Sequence, residues 1–276
     1  MNLEETIIEL YLKIDAACRE ILGEKKLRRC GRRPNLSDAE TLTIEIFGQM
    51  QGHQTDVSIW RYIRGHWHPW FPKLPSYKAF AKQIANLTGL KHYVFEHLFS
   101  PKSGLHICDG VPMPICHLAR AARAKTFKGE VSYGFCAAKD ERYYGFKGHV
   151  LIDAQQIVVG FSLTKANVDE RNVLDNFIGK LSGVLIGDKG LLSKTKKEEL
   201  LVYGIDLQTP LRKNMTDTRP KPVLQKLMKI RRKVETVIGQ LTEFFGLSSC
   251  KARNLWHLTA KLLRKILAYN FKKSAF

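Results

Sequence analysis

Two apolar runs in the chain end alike, Leu105-His-Ile-Cys-Asp109-Gly110 and Val184-Leu-Ile-Gly-Asp188-Lys-Gly190. Each reads as a short strand that delivers an aspartate and then turns. A carboxylate buried at such a place is costly unless it accepts hydrogen bonds, meets a base or binds a metal ion. A plain turn-forming aspartate is the competing reading. Asp153 also follows an apolar run, but the hairpin that it enters, around Ala154-Gln155-Gln156, accounts for it without chemistry. A third acid, Glu235, falls on a long helical stretch whose apolar stripe is Leu227, Val234, Ile238, Leu241 and Phe245. At about 100° per residue, Arg231, Glu235 and Thr242 cluster just off one edge of that stripe. Glu235 therefore sits where a buried face meets solvent. If the helix packs on a sheet, the acid faces the strand ends; otherwise it is a surface partner of Arg231, four residues earlier.

The charge balance gives these acids a context. Lys and Arg number 45 against 26 Asp and Glu, a net charge of +19, and a polyanion is the natural partner. Phosphodiester chemistry uses two hard cations about 3.5 to 4 Å apart, and carboxylates are the ligands that hold them. Charge alone would equally suit a protein that binds nucleic acid without cutting it. Other classes recede. No apolar run approaches the roughly 20 residues that span a bilayer, and the first residues, Met-Asn-Leu-Glu-Glu, lack a signal-peptide pattern, so a soluble cytoplasmic protein without a membrane partner is expected. The cysteines Cys18, Cys30, Cys108, Cys116, Cys136 and Cys250 form no C-x-x-C pair and read as reduced thiols, several of them buried. His66/His68 and His106/Cys108 lack a second ligand pair at zinc-finger spacing.

The elements that must position the acids fall into two regions. Residues 1–100 read as mainly helical, beginning with a helix through Ile7, Ile8, Tyr11 and Ile14. The basic Lys25 to Arg33 stretch and Pro34 follow. Ser37-x-x-Glu40 is a capping box opening a helix through Leu42, Ile44 and Phe47, and Ser76 to Leu87 forms another. Residues 101–276 change texture, with strand candidates at Leu105 to Cys108, Val150 to Asp153, Ile157 to Leu163, Val184 to Ile186 and Ile205 to Leu207. Helical segments are expected near Val168 to Leu181, Lys194 to Tyr203, Val223 to Phe245 and Trp256 to Phe271, with a loop from Gln208 to Pro222. The fold class is α/β, a mixed sheet flanked by helices after a helical N-terminal domain.

Most of the chain resembles the DDE transposases, and within them insertion-sequence family 982. The residues that carry the resemblance are Leu36-Ser-Asp-Ala-Glu40, Phe71-Pro-Lys-Leu-Pro-Ser-Tyr77, Cys108-Asp-Gly-Val-Pro-Met-Pro-Ile-Cys116, Tyr144-Gly-Phe-Lys-Gly-His149, Ile186-Gly-Asp-Lys-Gly190 and Arg231-x-x-x-Glu235. The resemblance implies a ribonuclease-H-like sheet with the first acid on its first strand, the second on its fourth and the third on a following helix, an order that Asp109, Asp188 and Glu235 keep. It implies that these three are catalytic and hold two Mg²⁺ ions, for which Mn²⁺ may substitute. The family signature around the glutamate has a tyrosine and a lysine where this chain has Met228 and Thr242. Double-stranded DNA, both element ends and target, is the implied partner. Lys147, His149, Lys189, Arg212, Lys213 and Arg231 are the implied DNA contacts, with Lys194, Lys196 and Lys197 nearby. A dimer or larger assembly on DNA and a bacterial, nucleoid-associated setting follow from the same resemblance. A ribonuclease-H-like nuclease and a non-catalytic regulator that reads DNA through its N-terminal helices remain as alternatives.

Overall fold

Asn2 opens the first helix, α1 (Leu3–Leu22), by a capping box in which its side chain accepts from the Glu4 amide and Glu5 reaches back to the Asn2 amide. The structure, a computed structural model, describes residues 2–23, 27, 33–102, 104–137, 140–211 and 214–274. The buried stripe of α1 is Ile7, Leu10, Ile14, Ala17 and Cys18, at spacings of three and four; Ile8, assigned to that face from the sequence, is 44% exposed. Ser37 and Glu40 form the expected capping box of α2 (Asp38–Met50). Three further helices follow, α3 (Asp56–His66), α4 (Tyr77–Asn86) and α5 (Thr88–Leu98). The basic stretch from residue 25 to 33 lies largely outside the described residues.

A six-stranded mixed sheet is then built from β1 (Leu105–Cys116), β2 (Ser132–Cys136), β3 (Glu141–Asp153), β4 (Val158–Lys165), β5 (Gly183–Ile186) and β6 (Ile205–Gln208). The order is β2-β3-β1-β5-β6. Strand β3 takes β2 along Glu141–Gly145 and β4 along Phe146–Ile152, all antiparallel, while β5 runs parallel to β1 and β6 parallel to β5. The expected β3–β4 hairpin forms, and the Asp153 side chain accepts from the amides of Gln155 and Ile157, each at 2.9 Å. Strand β2 has no counterpart in the sequence reading, and β1 is longer than expected. It continues past Asp109 because β3 offers it partners as far as Tyr144, opposite Cys116. Pro112 and Pro114 fit there because β5 pairs only with Leu105 to Ile107. Beyond Ile107 one edge of β1 is open, and a nitrogen without a proton on that edge costs no ladder bond.

Between β4 and β5 the chain makes a single α-helical turn, α6 (Glu170–Val173), and two 3-10 turns instead of the longer helix expected from Val168 to Leu181. Their residues Val173, Leu174, Phe177 and Leu181, with Leu200 of α7 (Lys194–Val202), pack on Cys108, Leu151, Val159, Leu185, Ile205 and Leu207 from one face of the sheet. The long helix α8 (Lys221–Glu243) buries Val234, Val237 and Leu241, and Lys233 donates to the Ala154 carbonyl at the β3–β4 turn.

The terminal helix α9 (Leu255–Ser274) carries Leu258, Leu262, Leu263, Ile266, Leu267 and Phe271 into a core. The core is not that of the sheet. Two compact units are formed, residues 1–99 with 243–276, and residues 100–242. The sequence reading kept 101–276 together; the difference is α9, which returns to the N-terminal helices. Buried charge explains the return. Arg264 of α9 is fully buried and donates to Asp56, Gln49 and the Gln54 carbonyl, and its Nη1 lies 3.5 Å from Glu45, which also receives Lys91 at 2.9 Å.

Candidate active site

The strand register sets the two aspartates level. Ile107 of β1 and Ile186 of β5 are the last parallel pair, so Asp109 and Asp188 each stand two residues beyond it on neighbouring chains. Their routes differ. Asp188 has left β5 and precedes a 3-10 turn, Lys189–Leu191, whereas Asp109 lies inside β1, opposite Val150. Cys108 enters the core beneath α6, and Asp109, next to it, lines a cleft with Asp188 beyond the last β1–β5 pair.

Helix α8 brings the third acid. Arg231 Nη2 lies 3.1 Å from Asp188 Oδ1 and 3.2 Å from Glu235 Oε1. One guanidinium nitrogen thus touches both carboxylates, which are apart by no more than about two hydrogen-bond lengths. Glu235 is half exposed, as the helical wheel predicts, and neither an isolated surface residue nor buried. The Arg231 Nε–H is buried without a partner. Asp109 is strongly perturbed. Burial pushes its pKa up from the ordinary 3.8 to about 6, and the charges of Asp188 and Glu170 push the same way; the Gly110 amide, 2.8 Å from Oδ1, and Arg231 oppose them.

Glu170, the first residue of α6, was not singled out from the sequence. With Cys108, Asp109, Gly110, His149, Asp188 and Leu191 it lines one narrow cleft. A β-carbon at Gly110 would lie 3.0 Å from Glu170 Oε1, and one at Gly190 would lie 2.8 Å from Oε2. The glycines near the two aspartates thus leave room for the Glu170 carboxylate. The available clue was that pair of glycines, but only the fold identifies what fills the space. Lys147 Nζ is 3.2 Å from Glu170 Oε1, which ties this lysine to the cleft. His149 is 2% exposed and bonded to Thr164, and burial, aided by Lys147, lowers its pKa to about 4. The imidazole is thus a neutral part of the cleft floor rather than the solvent-facing cation that a phosphate contact needs.

Among the other basic residues, Lys189 is exposed in the turn after Asp188, and Lys194 and Lys197 are exposed at the start of α7. Lys196 is held by Asp175 at 2.7 Å and Glu199 at 3.0 Å. Arg212 and Lys213 lie outside the described residues. The Gln208 to Pro220 connection is pinned at its base, where Arg219 at its end donates to Gln208 and the Thr209 carbonyl at its start and to Asp217. Met228 lines a cavity of about 180 Å³ under this connection, and Thr242 Oγ1 is buried without a partner.

Among the described residues, no group of three or more His, Cys, Asp or Glu side chains is arranged at metal-binding distances. The donor chemistry nevertheless fits a hard cation. Asp109, Asp188, Glu170 and Glu235 offer only oxygen, and Gly110 and Gly190 leave the hollow that one of these carboxylates occupies. No described helix is long and apolar enough to cross a membrane.

The sequence model of the family described as the transposase DDE domain matches residues 99–255, more than half of the chain. Among solved structures, the chain is similar to the cryo-EM structure of a piggyBac transposase synaptic complex with hairpin DNA, at a TM-score of 0.52 and 10% identity, over 96% of this chain and 72% of that one. No curated protein matches.

Proposed function

This chain belongs to the transposase DDE-domain family, and we propose that it cuts DNA at the ends of a bacterial insertion sequence and joins the freed 3′-hydroxyls to a second duplex. The observation that carries this reading is the single guanidinium of Arg231 touching both Asp188 and Glu235, beside the level-set Asp109. Two acids 47 residues apart, Asp188 and Glu235, share this arginine, and Asp109 stands on the neighbouring strand at the level of Asp188. The finer fold reading, a ribonuclease-H-like sheet, is supported by the strand pattern: three antiparallel strands, β4, β3 and β1, continue into two parallel ones, β5 and β6. With the short β2 set aside, Asp188 follows the fourth strand in chain order.

In this reading Asp109, Asp188 and Glu235 hold the divalent cations, Mg²⁺ with Mn²⁺ able to replace it. When bound, such ions activate the attacking oxygen and neutralise charge on the leaving one. The protein's own groups do the rest. Asp109, with its raised pKa, gains most from a cation, since a positive charge favours its ionised form. Arg231, now paired with Asp188 and Glu235, would offer its fork to a backbone phosphate where those carboxylates hold a cation. Lys189, exposed in the next turn, contacts the DNA backbone in this reading, and Arg212 and Lys213 are further proposed DNA contacts. The chain's net charge of +19 supports double-stranded DNA as partner. Paired ends call for a dimer or larger assembly on DNA.

The test uses purified protein, Mg²⁺ or Mn²⁺, DNA carrying the element's ends and a separate target duplex. Wild type nicks the ends and yields joined products, and Asp109→Asn binds the ends but cuts at least about a hundredfold more slowly, the loss expected when several kcal/mol of charge stabilisation disappear. Cutting without any joined product would favour a nuclease. Full cleavage by Asp109→Asn would remove this residue from the chemistry.

A further inference from the structure

Resting on that reading of the site, we propose that Glu170 is a fourth carboxylate of the cation site, supplying an oxygen ligand beside Asp109 and Asp188. The argument is geometric. Glu170 opens α6, which Asp169 starts by accepting from the Arg171 amide, so its side chain is set at the first turn of a capped segment. Its two oxygens lie against the two positions where the flanking sequence has no β-carbon, Oε1 over Gly110 and Oε2 over Gly190. Gly110 follows Asp109 directly, and Gly190 stands two residues after Asp188, so a carboxylate seated on both glycines lies in the cleft that the two aspartates line. All three acids line the same cleft.

Packing alone does not require this arrangement. Glu170 is neither fully buried nor freely solvated, with 27% of its side chain exposed, and of the two oxygens it is Oε1 that lies toward Lys147, at 3.2 Å. A lysine there does for Glu170 what Arg231 does for Asp188 and Glu235: it balances an acid in the absence of a divalent ion. Each cleft acid other than Asp109 thus has a monovalent partner on a long side chain, which can withdraw when a doubly charged ion enters.

Titration calorimetry of the full chain with Mn²⁺ alone, without DNA, tests the proposal. Glu170→Gln weakens Mn²⁺ binding by about tenfold or more, on the scale of losing one oriented ligand group. Gly190→Ala also weakens it, although every acid is retained, because the new β-carbon displaces Oε2. Lys147→Met tightens Mn²⁺ binding by about threefold, since a competing charge is gone. A merely structural Glu170–Lys147 pair gives another pattern: both Glu170→Gln and Lys147→Met lower the melting temperature in EDTA, and neither changes Mn²⁺ affinity. That pattern, or wild-type affinity in both Glu170→Gln and Gly190→Ala, overturns the proposal. Asp109→Asn separates the two levels. If it weakens Mn²⁺ binding while Glu170→Gln does not, only the role of Glu170 fails; if Asp109→Asn itself binds Mn²⁺ like wild type, the cation site and the function read from it fail together.

Discussion

The buried cluster of charged side chains in the helical unit and the half-open cluster around Arg231 in the sheet unit are built on opposite principles. In the helical unit, Glu45 and Asp56 meet Arg264 and Lys91, and the glutamine side chains Gln49 and Gln54 take up remaining hydrogen bonds. Burial alone would raise the pKa of Asp56, but the charge and hydrogen bond of Arg264, with Lys261 and Lys91, hold it below the ordinary value. In the sheet unit, Asp109, Asp188, Glu170 and Glu235 share Arg231 and Lys147, and burial with the charges of Asp188 and Glu170 outweighs Arg231 at Asp109. The first cluster is balanced and closed. The second holds more negative than positive charge and is half open to solvent, a state that costs stability until a cation arrives.

The largest effect is expected from removing the balance of the first cluster. Arg264→Met leaves Glu45 and Asp56 short of a buried partner and costs about 3 to 5 kcal/mol, measured by urea unfolding. A loss below 1 kcal/mol would mean that the helical cluster is no more tightly coupled than a surface pair.

Asp109→Asn moves stability the other way. The folded-state pKa, about 6, lies above the ordinary 3.8, so between these values the native state holds a proton that the unfolded chain has lost. Wild-type stability in EDTA therefore falls as pH rises from about 4 to about 6 and stays lower above it. The asparagine variant lacks this fall and is more stable at pH 7 by about 1 to 3 kcal/mol, allowing for the residue's partial exposure. Thermal unfolding of both proteins across that range checks the sign, and an unchanged profile in the variant would show that Asp109 titrates normally.

The smallest stability effect is reserved for the arginine of the second cluster. Arg231→Met, the same chemical change as at Arg264, alters stability by less than about 1 kcal/mol, because Asp188 and Glu235 are 40% and 49% exposed and water replaces the guanidinium. Its effect is instead on DNA, where retention weakens and the salt dependence of binding becomes shallower by about one counterion. Equal destabilisation at positions 231 and 264 would erase the distinction between the clusters.

Much of this was legible in the sequence where the cause is local. The Ser37/Glu40 capping box, the turn role of Asp153 and the edge position of Glu235 depend on periodicity and short-range hydrogen bonds and stand as read, whereas the α8 stripe holds in part: Val234 and Leu241 are buried, joined by Val237, while Leu227 and Ile238 are half-buried. Residues 168–181 misled because their apolar side chains suit a helix, yet the chain between β4 and β5 is consumed in short turns that place Val173, Leu174 and Phe177 on the sheet.

What the sequence determined by itself was the inventory: a basic chain, two aspartates each near a glycine, and a glutamate one helical turn from an arginine. Tertiary structure decided the rest, because it fixes distances between residues remote along the chain. The β1–β5 register levels Asp109 with Asp188, Arg231 joins Asp188 to Glu235, and α9 returns to the N-terminal helices to satisfy Glu45 and Asp56. Glu170 belongs to the same class. Nothing in its local sequence marks it, and only the absence of two β-carbons across the cleft shows why it is there.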